Sequence, residues 1–286
     1  MPRLSWSEAR RLVEQGRVEV NDDVVSDAAL RLSAGQLVRV RAASRRSPSA
    51  TVIVYEDRHL VVAEKPAGMS SVPYERGERA TLMDAVRAEW KRRGLPQAAR
   101  VLHVVHRLDK GSSGLLLYAR TRAAERALQM QFRKRLISRV YLCLAHGRVQ
   151  SGTIESRLVR DRGDGLRGST ARESSEGKLA ITHVRVLKHF DRTSLCEVRL
   201  ETGRTHQIRI HLADKGHPLV GERVYNRDFE ASGGRPIPSP RLLLHAAALA
   251  FDHPIEGRRI SLESARTREF LALVDVIGSG GPIAEV

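Results

Sequence analysis

Aromatic side chains are scarce: two Trp, five Tyr and five Phe make up 4% of the 286 residues. A surface built to stack many unpaired bases would use more of them. Cysteine is scarcer. Cys143 and Cys196 form no CxxC and stand beside no His cluster, so neither a disulfide framework nor a zinc site is indicated. Both lie in apolar, strand-like runs and read as buried free thiols. No apolar run approaches the ~20 residues that cross a bilayer, and the opening MPRLSWSEARRL has no apolar signal core. A cytoplasmic protein with no membrane partner, acting as a monomer, is the default expectation. Positive charge is what the chain has in excess. Lys and Arg number 49 against 33 acids, a net charge of +16. That favours a polyanionic partner, nucleic acid first.

The first forty residues read as a unit. Ser5 or Ser7 can cap a short helix with apolar Ala9, Leu12 and Val13, and Gly16 is placed to end it. VEV, a turn at Asn21-Asp22, VV and LVRV then read as short strands. This order resembles the small RNA-binding domain of the S-four ribosomal-protein type, over residues 4 to 41, without that domain's first helical segment. The boundaries follow as 1–42 for this α/β unit, 43–50 for a polar linker, 51–275 for the main domain and 276–286 for a tail.

The main domain reads as a mixed α+β domain rich in strands, with no regular βαβ alternation. TVIVYED, HLVVAEKP, VLHVVH, LLLYAR, RVYLCLAHG, ITHVRVL, SLCEVRLE and LLLHAAALAF are predicted strands. Thr81 and Thr121 are placed to cap helices, the first closed by Gly94, the second showing Ala124, Leu128, Phe132 and Leu136 on one face. TGRTHQIRIHLADKG predicts a helix capped by Thr205 and ended by Gly216. The Gly/Ser-rich stretch 161–178 predicts a flexible loop.

Polar groups gather in four places: EKPAGM (64–69), HRLDKGSSG (106–114), the strand holding Tyr141, and GRTHQIRIH (203–211). The spacing of His206 and His211 suits neither a helical ligand pair nor one strand face. Converging acids for a metal-dependent nuclease are missing. GSSG is neither a GxSxG elbow nor a phosphate loop. A single carboxylate, Asp109, remains, flanked by Arg107 and Lys110. Near arginine a carboxylate is favoured in its ionised form and can act as nucleophile or base. A surface salt bridge is the alternative for Asp109.

HRLDKGSSGLLLYAR resembles the HRLDxxTSGLLL signature of the RluA-type pseudouridine synthases. VYEDRHLVVAEKPAGM, QMQFRKRLISRVYLCLAHG, LETGRTHQIRIHLADKGHPLVGERVY and RLLLHAAALAFDHP resemble that family's other motifs, in the family's order, over residues 51 to 270. Ser112, Arg139 and Glu222 depart from its usual Thr, Lys and Asp. The resemblance implies a largely antiparallel sheet with a central RNA-binding cleft and a cofactor-free, metal-free isomerisation of uridine. It implies Asp109 as the catalytic aspartate, Tyr141 stacking on the target base and assisting a proton transfer, and Arg209 pairing with Asp109 to orient it and keep it charged. Arg107 would replace the expelled base, with His106 supporting that loop. Lys65, Arg204, His206 and Gln207 join His106 and Arg107 as implied substrate-binding residues. Ribosomal RNA, the large subunit's first, is the implied substrate. A tRNA-directed synthase and a non-catalytic RNA-binding or ribosome-assembly factor stay open. A nuclease or glycosidase is disfavoured by the lack of paired carboxylates.

Overall fold

The computed structural model describes residues 5–14, 18–20, 23–24, 37–40, 53–73, 80–96, 101–163 and 165–281. The chain divides into two compact units, 1–50 and 51–286. In the first, α1 (Trp6–Glu14) begins at a capping box: Ser5 Oγ accepts the Glu8 N–H, and the Glu8 carboxylate accepts the Ser5 N–H. The antiparallel strands β1 (Val18–Val20), β2 (Asp23–Val24) and β3 (Val38–Val40) lie in the order β2-β1-β3. Gly16, the Asn21-Asp22 turn and the linker 43–50 lie outside the described residues.

The second unit runs β4 (Ile53–Glu56), β5 (Leu60–Lys65), α2 (Leu82–Arg92), β6 (His103–Val104), β7 (Ser113–Ala119), α3 (Arg122–Arg133), β8 (Ser138–His146), β9 (Gly152–Val159), β10 (Gly168–Thr170), β11 (Lys178–His189), β12 (Thr193–Leu200), α4 (Gln207–Asp214), α5 (Arg227–Ala231), β13 (Leu244–Asp252), β14 (Arg259–Glu263) and α6 (Thr267–Gly278). The strands form one eleven-stranded sheet. Its path is β10-β9-β11-β12-β8-β13-β7-β5-β4, with β6 paired to β7 and β14 to β13. The β7/β13 pairing is parallel and the other pairings described are antiparallel.

The side-chain alternation of each strand assigns the two faces. Val61, Ala63, Leu116 and Tyr118 pack with Leu82, Val86 and Trp90 of α2, and the same core takes Tyr141 and Cys143 from β8. On the other face, Leu60, Val62, Leu115 and Leu117 meet Ala124 and Leu128 of α3. Farther along that face, Leu142 and Leu144 meet Phe270, Val274 and Ile277 of α6. Cys143 and Cys196 stand opposite each other on β8 and β12, both buried and free.

Thr81 and Thr121 cap α2 and α3 as the sequence predicts. Four expectations are corrected. Of VLHVVH, only His103–Val104 pairs as strand. Leu136 lies beyond α3 and is exposed, because the helix ends at Arg133. The stretch 161–178 is the tip of a sheet edge rather than a free loop, since Gly168–Thr170 pairs with β9. Helix α4 starts after His206, not Thr205, and His206 holds the left-handed φ of 58° with no side-chain cap. Strands β9 and β14 and helices α5 and α6 were not anticipated, and α6 runs past residue 275.

One row across the sheet fixes the centre. Ala246 of β13 pairs with Gly114 of β7 on one side and with Tyr141 of β8 on the other. Gly114 has φ 107°, and a Cβ there would collide with the Ala246 backbone. Only glycine meets both demands. A bulge between Ala246 and Ala248 re-aims β13 beside this row.

Candidate active site

Asp109 lies in the turn between β6 and β7, and its backbone neighbours are held from both sides. Ser71 Oγ donates to the Leu108 carbonyl (2.8 Å) and accepts the Leu108 N–H (3.0 Å). The Lys110 carbonyl accepts from Lys65 Nζ (3.1 Å) and from the Gly68 N–H (2.8 Å). The EKPAGM segment is thereby tied to the HRLDKG turn, with Asp109 between the two attachments. Gly114, the second residue of β7, follows that turn.

The Asp109 carboxylate is 20% exposed. It faces two groups of the α4 region: Arg209 Nη1 at 3.7 Å and His206 Nε2 at 3.9 Å. Arg209 has a closer partner. Its Nε and Nη2 donate to the two Glu222 oxygens, both at 2.7 Å. Glu222 Oε1 also accepts the N–H groups of Arg223, Val224 and Tyr225. Burial pushes the Glu222 carboxyl up, but the guanidinium and these N–H groups outweigh it and leave it below the ordinary carboxylate range. The Arg209 guanidinium lies 5.1 Å from the Tyr225 ring centre, and the Tyr225 hydroxyl is 2.7 Å from His206 Nδ1. Arg209 is thus a bidentate partner of Glu222 that turns one remaining nitrogen towards Asp109.

A cavity of 530 Å³ opens here, lined among others by His106, Arg107, Asp109, Tyr141, Arg204, His206 and Gln207. Tyr141 is buried, and burial raises its phenol, so the ring is neutral at ordinary pH. Arg107 is exposed at this cavity. Three residues implied to bind substrate are engaged in hydrogen bonds within the protein. Lys65 is fully buried, does not line the cavity, and spends its three donors on the carbonyls of Pro66, Met69 and Lys110. Burial pulls its ammonium down to about 7. Gln207 is saturated: Oε1 accepts from Thr202 Oγ1 and the Arg204 N–H, while Nε2 donates to the Ile181 carbonyl and Thr182 Oγ1. His106 Nε2 accepts the Leu117 N–H, which ties the turn to β7. Arg204 donates from Nε to the Leu179 carbonyl. Ser71, Glu222 and Tyr225 were missed as site residues. Glu222 and Tyr225 lie within a quoted motif that assigns them no task, and Ser71 lies two residues beyond the EKPAGM stretch.

Burial also sets the acid limit of the fold. His106 is pulled down to about 3, and His146, His211 and His245 to about 4. Their folded values lie below the ordinary 6.5, so the unfolded chain takes up protons first as pH falls. This stability is complete above pH 6.5 and is lost as pH drops towards 4. The melting temperature is expected to fall steeply between pH 6.5 and 4, above the range where carboxylates protonate. A calorimetric melting temperature unchanged from pH 7 to 5 would contradict it.

Residues 59–214 match the RNA pseudouridylate synthase family, and residues 3–38 match the S4 domain. A ribosomal large subunit pseudouridine synthase D from Pseudomonas aeruginosa is 37% identical over 79% of this chain and 71% of its own. One of the same name from Neisseria meningitidis serogroup A is 33% identical over 97% of this chain and 76% of its own. Among solved structures, human RNA Pseudouridylate Synthase Domain Containing 1 superposes with a TM-score of 0.61 at 27% identity, over 75% of this chain and 82% of that one. With five motifs in order and this fold beneath them, the chain belongs to the RNA pseudouridylate synthase family, in its RluA-type branch, and carries an N-terminal S4 domain.

Proposed function

We propose that this enzyme isomerises uridine to pseudouridine in ribosomal RNA, large-subunit RNA first, with Asp109 as its reacting carboxylate. One observation carries the reading: a single carboxylate, fixed through both backbone neighbours, faces an arginine and a histidine at a cavity lined by a neutral tyrosine. The other acid lining that cavity, Glu201, is engaged by Arg135 and His183, each at 2.8 Å, so a working carboxylate pair is not assembled.

The reaction breaks the bond from ribose to uracil N1, turns the base and joins ribose to carbon 5. No atom is gained from a donor, so no cofactor is called for. Asp109 serves either as nucleophile at the ribose carbon or as base in an elimination. Arg209 orients it. Tyr141 stacks against the uracil, and its phenol passes on the proton that leaves carbon 5. Extruding the base costs a few kcal/mol. Arg107, at the mouth, offsets part of this by stacking where the base had been. His206 and Arg204 contact the flipped nucleotide. The S4 unit, residues 1–42, adds RNA affinity, and the monomer works in the cytoplasm.

The large-subunit target follows the names of the relatives above. Transcripts of large-subunit ribosomal RNA and of tRNA, tritiated at carbon 5 of uridine, provide the test. Release of tritium is expected from the ribosomal transcript in excess over tRNA. Release from tRNA alone would move the substrate, and release from neither, nor from total cellular RNA, would sink the activity.

A further inference from the structure

A second cavity, of 480 Å³, opens next to the first and shares Gly203, Arg204 and Thr205 with it as a common wall. Arg160, Arg167, Lys178 and Arg204 line it against one acid, Glu176. Arg160, Arg167 and Lys178 form no ion pair with a carboxylate among the described residues. Elsewhere on the molecule arginines commonly meet acids, as with Arg172 and Glu155, Arg185 and Glu197, or Arg162 and Asp228. Here four cations face one acid in a concave site, where an anion gains the most from the excess positive charge.

The backbone gives these cations fixed places. Arg160 follows the end of β9, Arg167 precedes β10, and Lys178 opens β11, so strand pairing at the sheet edge sets their positions. Arg204 is held at the shared wall by its Nε donation to the Leu179 carbonyl. Arg167 also acts electrostatically on His206 and Tyr225, which places the influence of the second cavity beside Asp109.

We propose that this second cavity seats backbone phosphate of the RNA strand next to the target uridine. The inference rests on the proposed function and deepens it. A nucleotide turned into the first cavity leaves its strand at the mouth. The flanking linkages must then run over the walls, and the Gly203–Thr205 wall leads to a ready cluster of cations. Arg presents a planar fork to phosphate oxygens and Lys a point charge. Contacts to phosphate carry no base identity, so this cavity supplies affinity and register while the first supplies chemistry.

The test uses the full chain and a fluorescein-labelled transcript of large-subunit ribosomal RNA, with affinity measured from low to high KCl. Replacing Arg160→Gln and Lys178→Gln together is expected to weaken binding about tenfold or more. It should also reduce the slope of log affinity against log salt by about two, since each lost phosphate contact removes roughly one. A control double variant, Lys188→Gln with Arg268→Gln, removes two charges near α6, on the face opposite Tyr141, and is expected to change affinity by less than about threefold. The charge-keeping pair Arg160→Lys and Lys178→Arg should bind close to wild type. The proposal is overturned if the neutral pair behaves like the control, or if the charge-keeping pair loses as much as the neutral one. Tritium release by the wild type is recorded in parallel. Turnover with an unshifted salt slope defeats this cavity alone; a shifted slope without turnover defeats the isomerase reading and leaves the anion site standing.

Discussion

Asp109→Asn is expected to abolish turnover, by about 10⁴-fold or more, while the protein stays folded and bound to RNA. The substitution keeps the shape of the side chain and removes the charge that attacks or accepts a proton. Loss of a reacting group has effects of this order where no neighbour can substitute. No neighbour can here, because Glu201 is engaged by Arg135 and His183 and Glu222 by Arg209. Stability should change by less than about 1 kcal/mol, the scale of loose, partly exposed ion pairs, since the closest cations stand 3.7 and 3.9 Å away. Affinity should stay within about threefold, because phosphate contacts dominate it. Single-turnover assays, thermal melts and RNA titration read the three quantities. More than about 1% residual turnover would remove Asp109 from the reacting position.

The second large effect is at Glu222. Glu222→Gln leaves one oxygen for the backbone N–H groups of Arg223, Val224 and Tyr225 but puts an amide N–H against a donor of Arg209. A buried guanidinium without its counter-charge typically costs about 3–5 kcal/mol. Arg209 also loses the anchor that aims it at Asp109, so kcat should fall about 10- to 100-fold with little change in KM. Glu222→Asp restores the charge, with the family's usual residue, and is expected to recover most of both. A Gln variant that melts lower but keeps wild-type kcat in its folded fraction would make Glu222 a brace for the fold alone, with no part in positioning Asp109.

Much of this was legible in the residues. Threonine caps, strand alternation and glycine stops are local signals, and they located α2, α3 and the central strands. Family motifs marked Asp109, Tyr141 and Arg209 before any geometry. What stayed hidden was tertiary. Lys65 and Gln207 look like substrate ligands because both are polar and sit in motifs, yet their partners are backbone carbonyls, a backbone N–H and threonine hydroxyls, some distant in sequence. Glu222 stood only as a longer side chain in place of the family's Asp, because the sequence does not show that Arg209 folds back onto it. Strand β9 escaped notice because it is half-exposed, beside the short edge strand β10, with Glu155, Ser156 and Arg157 in its middle, so its polar pattern looks like a loop.

The order β8-β13-β7 has a consequence for when the enzyme becomes active. Strands β7 and β8 are close in sequence, yet β13, synthesised about a hundred residues after β8, lies between them. Until residues 244–252 arrive, the strand that pairs with both β7 and β8 is missing from between them. Pairings of such long separation form late and slowly. A nascent or truncated chain can therefore carry every motif through GRTHQIR and still lack the strand that joins β7 to β8. Completion of the central sheet is therefore expected to precede catalysis, and a chain ending before residue 244 is expected to release no tritium from RNA that the full chain modifies.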